Sequence, residues 1–175
     1  MTEVMMGKTL IAYFSKAGEN NVNGDIVKLD KGNTEIAAEY IKEFIEDADM
    51  FKIEPVEALP EKYEDLFAKV KVDQSANMRP EIKNCPGSID QYDTVYIGGP
   101  NYVESYPMAV FTFLESFNWE GKTIKPFITH EGSAFGHAIE DITASCPGAV
   151  IKDGLSIHGA DVRGYKIYIK RWIRN

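Results

Sequence analysis

Two rhythms of apolar residues alternate along this chain. Residues 9–14 (TLIAYF) form a short unbroken apolar run, the pattern of a strand covered on both faces. Ile36, Ala37, Tyr40, Ile41, Phe44 and Ile45 then recur at helical spacing. Residues 50–53 predict a brief second strand, and Tyr63, Leu66, Phe67 and Val70 a second helix. Residues 94–97 (TVYI) give a third strand that stops at Gly98-Gly99-Pro100. Pro107 suits the first turn of a helix reaching Phe117, because a proline there lacks only a donor that the helix does not use. Residues 123–129 predict a fourth strand, 135–144 a fourth helix, 149–157 a fifth strand and 162–173 a closing helix. Such alternation implies an α/β domain of three layers, doubly wound, with a five-stranded parallel sheet between two layers of helices.

One segment breaks the alternation. Residues 19–31 lie between the first strand and its helix, and they contain Val22-Asn23-Gly24-Asp25. Asn-Gly is the strongest two-residue hairpin signal, and Ile26, Val27 and Leu29 favour extended chain. A hairpin is therefore expected to grow out of the first loop.

Composition narrows the function classes. The 175 residues suit one domain, and 44% hydrophobic with 26% charged residues describe an ordinary folded chain. No apolar run approaches the roughly 18 residues of a membrane span. The start, MTEVMMGK, lacks the apolar stretch of a signal peptide, so a cytoplasmic location is expected. A net charge of −8 disfavours a nucleic-acid surface and suits contact with a basic protein partner. Cys85 and Cys146 each precede a proline and form no CxxC, which reads as two structural thiols. His130, His137 and His158 show no metal-ligand spacing, so no metal is expected. No G-x-S-x-G, G-x-G-x-x-G or G-x-x-x-x-G-K-[ST] is present, which leaves no nucleophile elbow, dinucleotide fingerprint or P-loop.

In a doubly wound sheet, ligands sit beyond the carboxyl ends of the strands, where strand order reverses. The loops after strands one, three and four are also the least ordinary stretches here. Ser15-Lys16-Ala17-Gly18 places a hydroxyl and small residues at a turn, and Gly32-Asn33-Thr34 opens a helix. Backbone N–H groups at a helix start, with the positive end of its dipole, favour a phosphate. Joined across the insertion, the two pieces read S-K-A-G-N-T.

That joined loop resembles the [ST]-x-T-G-[NK]-T phosphate loop of the flavodoxin family. Gly99-Pro100-Asn101-Tyr102-Val103-Glu104-Ser105-Tyr106-Pro107 and Thr129-His130-Glu131-Gly132-Ser133 are similar to the family's I-G-x-P-x-W-x-G-x-x-P and T-H-x-G-S segments. The likeness runs from about Lys8 to Ile173. It implies a flavodoxin-like fold with strand order 2-1-3-4-5 and one FMN. Ser15, Ala17, Asn33 and Thr34 would then hold the phosphate, with Lys16 either adding charge or remaining solvated. Pro100, Asn101, Tyr102 and Val103 would line the ring, Tyr102 stacking on it, while Tyr106 serves either ring or core. Thr129, Glu131 and Gly132 would meet the ribityl chain and ring edge, with His130 a donor there or a structural group.

The sequence departs from the family where Val103-Glu104 replaces the usual Trp-Gly. The family turns a backbone carbonyl in this loop toward the flavin, and glycine makes that turn easy. The resemblance implies an electron carrier working between a reductase and an acceptor through its acidic surface. An FMN-dependent NAD(P)H oxidoreductase of the quinone-reductase type and a flavin-free binding module are the alternatives on the same scaffold.

Overall fold

The computed structural model describes residues 7–175. Strand β1 (Lys8–Tyr13) leads into a hairpin of β2 (Gly18–Val22) and β3 (Asp25–Leu29), then helix α1 (Asn33–Phe44). Next come β4 (Asp49–Lys52), α2 (Tyr63–Ser75), β5 (Tyr92–Pro100) and α3 (Met108–Leu114). They are followed by β6 (Thr123–His130), α4 (Ala138–Ser145), β7 (Val150–Ile151), β8 (Leu155–His158), a 3-10 turn (Gly159–Gly164) and α5 (Lys166–Ile173).

The main sheet runs β4-β1-β5-β6, all parallel, and β7 and β8 occupy the fifth position in succession beside β6. With the hairpin set aside, this is the doubly wound parallel arrangement expected. Successive strand residues point to opposite faces, and the core divides accordingly. Leu10, Ala12, Phe14, Val95, Ile97 and Ile124 pack toward α3 and α4. Ile11, Tyr13, Tyr96, Phe127 and Ile157 pack toward α1 and α5. Each large side chain so buried contributes about 1.5–3 kcal/mol, which makes the sheet the rigid base on which the loops stand.

Close approach fixes two details of that base. A Cβ at Gly98 would fall 2.1 Å from the Phe127 ring, so only glycine fits there. Lys125 is buried within β6, and its ammonium donates to the carbonyls of Trp172 and Ile173 at 3.4 and 3.1 Å. A cation at a helix C-terminus meets the negative end of the dipole, so Lys125 anchors α5. Burial and the nearby Lys152 charge push its pKa down.

Several boundaries differ from expectation. The fifth strand is not continuous over 149–157: Ile124 pairs with Ile151 and Phe127 with Leu155, so two β6 residues oppose three. One of the two is Pro126, which has no N–H to offer the ladder, and the extra residue bulges out. The third helix ends at Leu114, whose carbonyl accepts the Trp119 indole N–H at 2.6 Å. The fourth begins at Ala138 because Gly136, at φ +51°, turns the chain just before it. The closing helix starts as the 3-10 turn before α5.

The expected hairpin is present. β2 and β3 pair antiparallel from Gly18 with Leu29 to Val22 with Asp25. Asn23 and Gly24 form the turn with φ of +53° and +92°, the left-handed geometry that such two-residue loops need. Among the described residues, no helix is long and apolar enough to cross a membrane.

Candidate functional site

The loops after β1, β5 and β6 converge on one cleft at the carboxyl end of the sheet. At its base, the two ends of the insertion abut. Gly32 caps α1 without a side chain, and a Cβ there would lie 2.2 Å from Ser15 Oγ and 2.8 Å from the Lys16 carbonyl. Ser15 Oγ accepts the Glu35 backbone N–H at 3.1 Å, so one orphan donor of the helix end is satisfied from across the insertion. Among the described residues, the Ser15 hydroxyl hydrogen and the first-turn N–H groups of Asn33 and Thr34 have no acceptor. Beneath them, the buried Thr34 and Thr129 hydroxyls share a hydrogen bond of 2.7 Å.

The loop after β5 is a tight, strained turn. Tyr102 N–H donates to the Ser105 carbonyl at 2.7 Å, while Val103 and Glu104 between them stand at φ +53° and +69°. Left-handed backbone disfavours L-residues by about 1–2 kcal/mol each, and most of all when β-branched. Four contacts hold it. Asn101 Oδ1 accepts the Glu104 N–H at 2.9 Å, and Asn101 Nδ2 donates to the Ala134 carbonyl at 2.9 Å. Gln74 Nε2 donates to the Val103 carbonyl at 2.7 Å, and His137 N–H to the Glu104 carbonyl at 2.6 Å.

Sequence-expected residues fall into place unevenly. Ser15, Lys16, Asn33 and Thr34 line the cleft from the first loop, Pro100, Asn101, Tyr102 and Val103 from the second. Thr129, His130 and Glu131 line it from the third. Ala17 and Gly132 are exposed outside the lining. Tyr106 belongs to the core: it is fully buried, and its hydroxyl donates to the Phe127 carbonyl at 2.8 Å. Burial drives its pKa well up. Lys16 bends away from the cleft base, donating to the Ala17 and Glu19 carbonyls at 3.1 and 3.5 Å, and partial burial lowers its pKa.

The third loop forms a charged seam. Glu131 Oε2 accepts the Asn23 N–H of the hairpin tip at 3.0 Å and lies 3.1 Å from His158 Nε2. His158 Nδ1 in turn lies 2.9 Å from Asp161. The Asp161 hydrogen bond and the Glu131 charge raise the His158 pKa. His130 accepts the Gly132 N–H on Nδ1 at 2.9 Å, and burial, with the His158 charge, lowers its pKa.

Sequence reading missed an entire wall. Tyr63, Leu66, Phe67 and Val70 of α2 face the cleft, as do Asn20 and Asn21 of β2 and Gly159. The Tyr63 and Phe67 rings stack at 6.2 Å with 12° between planes. An apolar helical stripe reads equally well as core, so only the exposure of Phe67, 43%, separates the two uses. Tyr102 packs edge-on against Phe14, with centroids 5.8 Å apart. Burial, and then the neighbouring Tyr63, push its hydroxyl pKa far up.

The cleft volume is about 140 Å³. Organic ligand pockets usually exceed about 300 Å³, so a flavin ring needs one wall to yield. Of the 13 residues of α2, Leu66 alone is buried, which makes this helix a lightly anchored wall. The polar base suits a phosphate: glycine approach, free hydroxyl and amide donors at a helix start. The aromatic upper wall suits a flat ring. Among the described residues, no group of three His, Cys, Asp or Glu could hold a metal.

Comparison with known proteins identifies the family and the fold. A flavodoxin family model matches residues 8–175. A candidate flavoprotein of Bacteroides uniformis is 29% identical, with a TM-score of 0.77 over 97% of this chain and 99% of that one. One from Bacteroides eggerthii is 26% identical, with a TM-score of 0.70 over 93% and 98%. A Lactobacillus acidophilus flavoprotein in complex with FMN shares the fold at 20% identity, with a TM-score of 0.66 over 91% and 98%. Among curated proteins, none matches the chain. With a family model aligned from the first strand through the final helix, this chain belongs to the flavodoxin family.

Proposed function

We propose that this protein binds one FMN non-covalently in the cleft and carries electrons between redox proteins in the cytoplasm. The observation that carries the reading is the meeting of Ser15 with Gly32 and the Glu35 N–H across the hairpin insertion, which sets Ser15, Asn33 and Thr34 in one cleft. The Lactobacillus relative solved with FMN supports it.

When bound, the flavin supplies the redox chemistry, and the chain positions it. The Ser15 hydroxyl and the first-turn amides of α1 hold the phosphate. Tyr102 and the Tyr63–Phe67 pair border the ring, and their apolar area excludes water from it. Thr129 and His130 border the polar side. A net charge of −8 orients a basic partner for brief contact.

The test is a visible absorption spectrum of the purified protein with FMN added, followed by slow anaerobic reduction. Flavin bands that shift on binding, with no bleaching by NADPH alone, are expected. Direct bleaching by NADPH would identify an oxidoreductase instead. A spectrum identical to free FMN would remove the flavin from both readings.

A further inference from the structure

The hairpin is fastened at base, flank and tip. Asn20 Nδ2 donates to the Lys16 and Gly18 carbonyls, each at 3.0 Å. Glu19 Oε2 accepts the Tyr63 N–H at the start of α2, at 2.8 Å. The Asn23 N–H at the tip reaches Glu131 at 3.0 Å. A strand pair held in three places is a wall of the cleft, and it brings Asn20 and Asn21 into the same lining as Ser15, Asn33 and Thr34.

The two asparagines differ in what they leave free. Asn20 commits its amide nitrogen twice to the loop beneath it. Asn21 does the reverse: its Oδ1 accepts the Gly24 N–H at 2.8 Å, and its Nδ2 donates to no group among the described residues. A free amide donor that shares its cleft lining with Ser15, Asn33 and Thr34 adds to the donors open to an anion there.

We infer that Asn21 is a phosphate ligand supplied by the hairpin, and that hairpin and helix start together cage a terminal phosphate monoester. The inference rests on the FMN reading above. The two nearest acids are each held by other groups of the fold. Glu131 is matched by His158 and the Asn23 N–H, and the Glu19 carboxylate is bound at α2. The far end of the cage is closed. The Asn23–Glu131–His158 seam shuts it, and Gly159 packs so tightly that a Cβ would lie 2.6 Å from both Asn33 Nδ2 and Glu131 Oε1. A monoester ends there, whereas a diphosphate-linked dinucleotide has no way onward. The cage therefore selects FMN over riboflavin, which offers no charge, and over FAD, which offers a chain too long.

Asn21→Asp is the decisive variant, because it keeps the oxygen that accepts from Gly24 and exchanges only the donor for a charged oxygen. Wild type and variant are titrated with FMN, riboflavin and FAD by flavin fluorescence, with circular dichroism confirming the fold. Wild type is expected to prefer FMN to both others. Asn21→Asp is expected to weaken FMN by about tenfold or more, since a charge-assisted bond becomes a repulsion, and to leave riboflavin unchanged. Asn21→Ala, which adds no charge, should lose about threefold toward FMN alone. Equal losses for FMN and riboflavin, or unaltered FMN binding, would overturn the cage while leaving the FMN reading intact. FAD bound as tightly as FMN would overturn the closed end. A wild type that binds no flavin would remove both readings together.

Discussion

Thr34 and Thr129, 95 residues apart in the chain, join their hydroxyls at 2.7 Å beneath the cleft. Both are almost fully buried, so water competes little for either hydroxyl. Thr34→Val leaves the Thr129 hydroxyl unsatisfied, and a loss of about 1–3 kcal/mol is expected. Replacing both threonines by valine should recover most of that loss. Urea unfolding of the two single variants and the double variant measures the coupling, and additive losses would show that the bond contributes nothing.

The turn at Val103 and Glu104 predicts a gain in stability. Glu104 is exposed at φ +69°, so glycine there removes left-handed strain of about 1–2 kcal/mol while adding chain entropy worth about 0.5–1. Glu104→Gly should raise stability by up to about 1 kcal/mol, or about 2–4 °C in Tm for a chain of this size. Glu104→Val should lower it by a similar amount. A thermal melt of both variants decides, and a lower Tm for the glycine variant would contradict the assigned strain.

The seam predicts a pH dependence with a definite sign. His158 has a folded-state pKa raised above 6.5, chiefly by Asp161 and then by Glu131. Its contribution is therefore complete below about pH 6.5 and fades as pH rises through the folded value. His130 runs the other way: its pKa is lowered by burial and by His158, so charging it on acidification disfavours the fold. The stability difference between wild type and His158→Asn should shrink from pH 6 to pH 8. In that variant the His130 pKa, followed by proton NMR, should rise because the neighbouring cation is gone.

Helix α2 predicts where protection changes on ligand binding. It is tied to the rest of the cleft by Glu19 at its first residue and Gln74 near its last. Glu19→Gln replaces a charged acceptor at a helix start by a neutral one and should cost about 0.5–1 kcal/mol. In hydrogen exchange, amides of 63–75 should exchange faster than those of β1 and β5 in the free protein and slow on FMN addition. Uniform slowing across the sheet instead would place the moving wall elsewhere.

Much of the scaffold was legible because it depends on local pattern. The runs at 9–14 and 123–129 could be strands only if covered on both faces, and Asn23-Gly24 could only turn sharply. Boundaries that depend on a neighbour were not legible. The bulge opposite Pro126 requires knowing which strand lies beside it, and the end of α3 is set by the Trp119 indole. At the site, hydroxyls and glycines in loops carried chemical signal. Tyr63, Phe67 and Asn21 carried none, since a ring stripe and a hairpin amide acquire meaning only when folding brings them into the same cleft as Ser15. Tyr106 shows the converse: its loop position left ring and core equally open, and the Phe127 carbonyl, which accepts its hydroxyl, decides for the core.

The interrupted fifth strand has a consequence for crowded solution. A long, flat outer strand offers unpaired N–H and C=O groups to a second chain and so seeds self-association. Here one outer strand is only Asp49–Lys52, and the other is cut into Val150–Ile151 and Leu155–His158 by the bulge, with exposed Lys152 and Asp153 in the gap. A stray chain finds no uninterrupted row longer than four residues on either side. The same proline that spoils the regularity of the sheet thereby guards it against aggregation.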